Sequence, residues 1–566
     1  MFPELTLKIS GEAGQGMQTV GFNLCRLLKR AGFFIFANHD YMSRVRGGNN
    51  FFQLRVSQKP LYALREKSDI IVVLDKQSLA IHGGSLSKEG LLVADSKKFN
   101  IAKEDSFFDL PMNEIAGSLG NELFVNSVVY GFISGVLNLL DGDMFDVIKE
   151  DFSGKAEAII SKNIMAAKSG YEFAKVNFKS EKFFLAKQSA GQTLLMNGNE
   201  AIALGAIRAG CKFYSAYPMT PSTSIMNEVA HRAKDFNIVV EQAEDEIAAI
   251  NMAIGASYAG ARAMTSTSGG GFCLMVEGVS LSAMTETPVV IVDAQRPAPA
   301  TGFPTRTEQS DLSFLLSAGH GEFARAILAP GTIEEAFYLT VHAFNLAEKY
   351  QIPVLIMTDQ HLADSYRNVA TLDQNSIKVE RFILSKEMSE KVDNYKRYEL
   401  SDSGISPRAI PSWIKDVIYV DSDEHAEEGH ITEDAVMRTR MVEKRLHKKM
   451  QGLISEVVEP KAYNVEQAEV VLIGFGSTYG VLKEVSDMSS GKIGFIHLPQ
   501  VWPFPTRKLI NLLNEKVKVI TVENNASGQL AKLIHSETGI KIEKSILKFD
   551  GRPFNVDYLI EQLKTV

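Results

Sequence analysis

The stretch YSAYPMTPSTSI (214–225), followed by EQAEDEIAAINMAIGASYAG (241–260), decides the fold. A strand-like run opens into a turn with hydroxyls and two prolines. An acidic run then enters a helix made of small and apolar residues. A carboxylate at the mouth of such a helix sits where burial can tune its proton affinity, an arrangement suited to activating a cofactor. Among Glu241, Glu244, Asp245 and Glu246, the last is flanked by the helix's apolar residues Ile247 and Ile250 and is expected to be the buried one.

Outward from that stretch the chain alternates strand and helix: NEAIALGAIRAG, FYSAYP, TSIMNEVAHRAKDF, NIVVEQA, ARAMTSTS, the glycine turn Gly269–Gly271 and PVVIVDAQR. Short apolar strands in βα alternation predict a parallel sheet covered on both faces, with PVLIMTD (353–359) as its last strand. Upstream, residues 4–10 predict a strand, and GEAGQGMQTVGFNLCRLLKRAG turns through glycines into a helix. Downstream, AEVVLIGFGSTYG, IGFIHLPQ and KVKVITVENNASGQLAKLI predict a smaller parallel sheet. The fold class is therefore α/β with three parallel-sheet domains. The expected boundaries are 1–185, 190–365 and 461–566, with 366–460 as an extended, charged connection.

Composition narrows the function classes. With 566 residues, 45% of them hydrophobic, the chain can bury large cores. A net charge of −8 and the lack of a basic tract argue against nucleic acid. MFPELTLKIS lacks a signal-peptide pattern, and runs such as IVVLD are too short to cross a bilayer, so a cytoplasmic protein without a membrane is expected. Cys25, Cys211 and Cys273 lie far apart and read as small buried hydrophobes rather than a metal or iron–sulfur set. His425 and His430, in DSDEHAEEGHITED, read as part of an ordered polar loop, with metal ligation as the lesser alternative.

Several residues are candidates for a site. Gly11, Gly14 and Gly16 form a GxxGxG turn between strand and helix that can present backbone donors to an anion, or can simply pack tightly. Arg44 and Arg46 precede Gly47–Gly48 and suit a phosphorylated group or a partner surface. Tyr217, Pro218, Thr220 and Ser222 lie at the carboxyl end of a strand, where open parallel sheets bind ligands; Thr220 and Ser222 also suit a helix cap. Arg306, in the proline-rich loop PAPATGFPTRTEQSDLSF, has a fork matched to a carboxylate, with Glu308, Gln309 and Asp311 beside it.

In their order along the chain, GEAGQG, RGGNN, YPMTPST, VEQAEDEIAAINMAIGASYAGARAMTSTSGGG, TGFPTRTEQSDL, GISPRAIP, EHAEEGHITED and VENNASGQL resemble the 2-oxoacid:ferredoxin (or flavodoxin) oxidoreductases, in the form with a gamma-type domain fused ahead of the alpha subunit. The resemblance implies a central thiamine-diphosphate pyrimidine-binding-type fold and a transketolase-C-terminal-like third domain. By the same resemblance, Glu246 hydrogen-bonds the pyrimidine of the cofactor, with Glu244 as its alternative in the acidic run. Thr220 contacts the substrate carboxylate or keto oxygen, Arg306 pairs with the carboxylate, and Tyr217 and Pro218 shape the pocket. The diphosphate site, its Mg2+ and a [4Fe-4S] cluster are expected in a separate beta subunit of a heterotetramer, with ferredoxin or flavodoxin as electron acceptor. Coenzyme A is the expected cosubstrate, with the first domain and residues 523–529 as candidates to enclose it. The substrate implied first is 2-oxoglutarate, ahead of pyruvate and branched-chain 2-oxoacids. Outside the resemblance, a thiamine-dependent transferase or decarboxylase and a catalytically silent assembly subunit remain open. Met219 and Phe303 stand where the family usually carries isoleucine and leucine.

Overall fold

Runs of Val, Ile and Leu form the strands that position everything else. Val289–Gln295 and Pro353–Asp359 are buried along their whole length, as expected of central strands covered on both faces. Each fully buried Ile or Leu in them contributes about 1.5–3 kcal/mol. The structure, a computed structural model, describes residues 4–43, 47–102, 106–139, 142–189, 191–375, 377–513 and 518–565.

The chain divides into two compact units. The first contains residues 1–196 together with 365–371 and 555–565. Its eight-stranded sheet is parallel where Glu4–Ala13, Ser68–Val73, Leu86–Ala94 and Phe108–Asp109 pair in turn. Across the other half, Gly47–Ser57, Phe34–Asp40, Tyr366–Ala370 and Thr193–Met196 pair antiparallel. The C-terminal helix Val556–Leu563 is tied into this unit by Asp557, which accepts from Arg65 Nη2 at 2.8 Å and from the Glu66 amide at 2.8 Å.

The second unit contains 197–364 and 372–554. Its seven-stranded sheet is parallel except for Gln500–Trp502, which pairs antiparallel at one edge. The five-stranded sheet has four parallel strands, from Val470–Phe475 to Lys544–Leu547, and an antiparallel edge at Lys461–Tyr463. One apolar cluster joins the two sheets: Ile291, Leu355 and Met357 from the first, with Ile473, Phe475 and Ile496 from the second.

The charged segment after residue 371 departs from the extended connection expected there. It contains a continuous helical stretch from Ala435 to Ser455, including one π-helical section. Its buried side carries Lys444, Arg445 and Lys449 beside Met441 and Leu453, which hides it from a reading based on apolar periodicity. Lys444 Nζ and Lys449 Nζ each lie 2.6 Å from the fully buried Glu286 carboxylate, and Arg397 donates to the Glu286 carbonyl at 2.6 Å. Such charges enter a core only when paired.

Cys25 and Cys211 are buried, and burial raises both thiol pKa values; Cys273 is exposed, against expectation. His425 is buried against the Tyr398 ring, while His430 packs on Tyr419. Among the described residues no helix is long and apolar enough to cross a membrane.

Candidate functional site

The site is assembled at the carboxyl ends of the central strands. Glu246 is the first residue of the helix Glu246–Tyr258, and the Asp245 side chain caps it by accepting from the Ala248 amide at 2.7 Å. Of the four acids in the run, Glu241, Glu244 and Asp245 are exposed, whereas Glu246 is 3% exposed. Thr267 Oγ1, at the end of strand Arg262–Thr267, donates to Glu246 Oε1 at 3.5 Å.

The next helix, Gly269–Met284, begins against the same carboxylate. A side chain on Gly271 would collide with Glu246 Oε1 and Thr267 Oγ1, so the glycine creates the space in which the carboxyl sits. A buried acid with one long hydrogen bond, beside a cradle that a methyl group would fill, fits a ligand nitrogen that shares its proton.

The YPMTPST turn reaches this cradle through Met219, whose sulfur accepts from Ser268 Oγ at 2.7 Å. Ser222 Oγ bonds back to the Met219 carbonyl at 2.8 Å and does not cap the helix Thr223–Phe236. Thr220 is half-buried, and its carbonyl accepts from Arg296 Nη1 at 2.8 Å. Asn199 fixes the far side of the turn, donating to the Pro221 carbonyl at 2.7 Å. Pro218 is half-buried, and Tyr217 is 41% exposed.

Arg296 follows the strand Val289–Gln295 directly, and sequence reasoning passed over it in favour of Arg306. Burial lowers its pKa while Asp311 opposes the shift. Its signal was available: an arginine directly after a wholly buried central strand. Arg306 is half-buried further along the loop, beside Gly551. Between the two, Phe303 is 59% exposed.

The rest of the loop is locked onto the third sheet. Gln309 is fully buried; its side chain donates to the Phe475 carbonyl at 3.0 Å, and its amide donates to the Asn524 carbonyl at 2.7 Å. The turn 523–529 spends its polar groups on the loop and on its own domain: Asn525 donates to the Gln309 carbonyl at 3.2 Å and Gln529 to the Ser310 carbonyl at 2.7 Å. Glu523 accepts from the Leu530 and Ala531 amides and from Asn525, and Asn524 donates to the Lys548 carbonyl.

In the first unit, Gly11 and Gly16 are required by packing: side chains there would strike Gln15 and Asn126. Gly14, at φ 90°, faces open space. Arg44 and Arg46 lie outside the described residues.

Comparison with known proteins agrees with this architecture. The family "Pyruvate flavodoxin/ferredoxin oxidoreductase, thiamine diP-bdg" matches residues 204–444. "Pyruvate ferredoxin/flavodoxin oxidoreductase" matches 6–173, and "Pyruvate:ferredoxin oxidoreductase core domain II" matches 468–559. The chain is 33% identical to a Sulfolobus 2-oxoacid:ferredoxin oxidoreductase subunit alpha, over 99% of this chain and 96% of that one. It is 31% identical to the 2-oxoglutarate synthase subunit KorA of Methanothermobacter marburgensis, over 65% of this chain and 97% of the relative. A solved 2-oxoglutarate:ferredoxin oxidoreductase from Magnetococcus marinus, with 2-oxoglutarate, coenzyme A and succinyl-CoA bound, superposes over the full length of both chains with a TM-score of 0.92 at 29% identity.

Proposed function

From the premise that this chain belongs to the 2-oxoacid:ferredoxin oxidoreductase family, we propose that it oxidatively decarboxylates 2-oxoglutarate to an acyl-CoA, together with a beta subunit that completes the cleft. The chain is the alpha-type subunit of such an enzyme, and its central domain is of the thiamine-diphosphate-binding kind. One observation carries the reading of the site: Glu246 alone in its acidic run is buried, in the space left by Gly271.

When bound, the cofactor supplies an acidified carbon nucleophile and an electron sink for decarboxylation. The residues of this chain prepare that chemistry. Glu246 would hold a proton shared with the cofactor's aminopyrimidine, which would leave the ring's amino nitrogen as a base. The Thr220 hydroxyl and the Arg306 guanidinium hold the substrate carboxylate, and Arg296 fixes the Thr220 backbone and adds positive charge. Tyr217 and Pro218 wall the pocket against water, and Glu244, exposed two residues before Glu246, belongs to the rim.

The cleft is half-built by this chain. Ile247 and Met252 on the Glu246 helix and Leu274 on the helix packed against it are exposed apolar side chains. They suit a beta subunit that brings the diphosphate, Mg2+ and [4Fe-4S] sites and passes electrons to ferredoxin or flavodoxin in a heterotetramer. The names of the relatives favour 2-oxoglutarate and coenzyme A as substrates. In the first unit, the gamma-type domain of this reading, Gly14 is the member of the glycine turn open to an anionic group.

The test is co-purification with the beta subunit and coenzyme-A-dependent viologen reduction over a panel of 2-oxoacids. Glu246→Gln, which keeps volume and removes the shared proton, is expected to lower kcat by about 10²–10⁴-fold with an unchanged melting temperature. Turnover equal to wild type would refute the assignment of Glu246.

A further inference from the structure

Two buried carboxyl groups behind the glycine turn take no part in the chemistry described so far. Asp293 lies on the strand Val289–Gln295, fully buried, and neither of its carboxyl oxygens has a hydrogen-bond partner. Asp311 precedes the helix Leu312–Ser317, is 7% exposed, and its Oδ2 is also buried and unpartnered.

The fold brings the two together. The Asp311 amide donates to Gln295 Oε1 at 3.0 Å, and Gln295 lies two residues beyond Asp293, on the same face of its strand. Across the sheet, Asp293 is in register with Thr267, from which Ser268 and Gly269 lead to Asp311; its carboxyl carbon lies 2.7 Å from where a side chain on Gly269 would begin. The same turn therefore touches Asp311 at Gly269 and Glu246 at Gly271.

The surrounding charges are few. Glu308 and Arg296 act on Asp311, Asp311 acts on Asp293, and both acids act in turn on the exposed Cys273 thiol, one helical turn beyond Gly269. The register partners of Asp293 on the neighbouring strands are Thr267 and Met357, neither of them charged. Two ionised carboxylates in one buried patch without protein donors are strongly disfavoured, so one of them keeps its proton.

We propose that the buried pair Asp293 and Asp311 holds one proton at neutral pH, carried by Asp293, and that this pair positions the Ser268–Gly271 turn under Glu246 and balances the charge of Arg296. Burial and the neighbouring Asp311 hold Asp293 protonated well above the usual carboxylate range. Burial and Glu308 push Asp311 up to about 6, with Arg296 pulling the other way. Above that pH the pair carries one negative charge and Arg296 is compensated. Below it a second proton enters from solvent, and Arg296 is left free to attract a substrate carboxylate more strongly.

The second half of this inference rests on the function proposed above; the proton itself does not. Infrared spectroscopy of the purified complex is therefore the first measurement. A protonated-carboxyl C=O band that shifts in D2O is expected at neutral pH and is lost in Asp293→Asn. A second band is expected to grow below about pH 6 and to be missing in Asp311→Asn. Absence of the neutral-pH band from the wild type overturns the proposal whatever the enzyme's reaction, and wild type with Asp293→Asn suffices if Asp311→Asn does not assemble.

Kinetics are the second measurement. The KM for the 2-oxoacid is expected to fall as pH drops through about 6 in the wild type. Asp293→Asn should keep that inflection, because Asp311 keeps its burial and its neighbours Glu308 and Arg296, and Asp311→Asn should abolish it. The reverse pattern would overturn the assignment of the proton to Asp293. A complex that shows the infrared bands but turns over no 2-oxoacid would sink the proposed function and leave the acid pair standing.

Discussion

Replacing Gly271 by alanine removes no reacting group but moves one of them. The new Cβ would start 2.9 Å from the Glu246 carboxyl carbon, with Oε1 and Thr267 Oγ1 nearer still. Carbon atoms ordinarily approach to about 3.5–4.0 Å, so the carboxyl must retreat by about 0.6–1.1 Å. A misplacement of about 1 Å in a reacting group costs about 10²-fold in rate, or about 2.7 kcal/mol. Gly270 supplies the control, since a side chain there meets only the Ala300 carbonyl, at 3.6 Å. Both substitutions add the helix-favouring effect of alanine, about 1 kcal/mol, so stability does not separate them. Viologen reduction by the reconstituted complex should show Gly270→Ala near wild type and Gly271→Ala down by about 10²-fold in kcat/KM. If the two variants agree within about threefold, Glu246 does not need the position the glycine allows it, and the reasoning fails.

Two other outcomes follow from particular contacts. Arg306→Ala should raise the KM for 2-oxoglutarate by about 10–10²-fold at little cost in kcat, since it removes a charge-assisted hydrogen bond; Arg296→Ala should lower kcat as well, because the Thr220 carbonyl loses its donor. Initial rates over a range of substrate concentration separate the two, and an unchanged KM in Arg306→Ala would refute its role. His361 is buried, and burial lowers its pKa to about 4. The unfolded chain takes up a proton first, near the ordinary value of about 6.5, so stability falls as pH drops from about 6.5 to 4, by up to about 3 kcal/mol. Urea unfolding across that range should show the loss, and His361→Gln should flatten the slope by one proton; an equal slope in both proteins would refute the assignment.

Much of the site was legible because its residues declare themselves locally. Glu246 stands out as the acid adjoining Ile247 and Ile250, and the structure buries it. The run VVIVD reads as a central strand, and its residues are all buried. Less legible was Met219, which sequence marks only as an apolar replacement and which the structure uses as the sulfur acceptor of Ser268. The helix Ala435–Ser455 was hidden for a different reason: its inward face carries Lys444 and Lys449, whose partner Glu286 comes from far away in sequence. Cys273 reads as a core residue by type, yet it lies on the outward side of its helix.

Sequence by itself determined the α/β order, the three sheets and the membership of the chain in its family, because hydrophobic period, glycine turns and motif order are properties of neighbouring residues. Tertiary structure alone decided which charges meet. Asp311 reaches the strand of Asp293 because its loop folds back onto Gln295, and Arg296 reaches Thr220 because the strands 211–216 and 289–295, parallel and one strand apart, end on the same side of the sheet. The return of residues 365–371 and 555–565 to the first unit is likewise a matter of strand and helix pairing across long separations. Such contacts depend on distances set by the whole sheet, to which no local run of amino acids is sensitive.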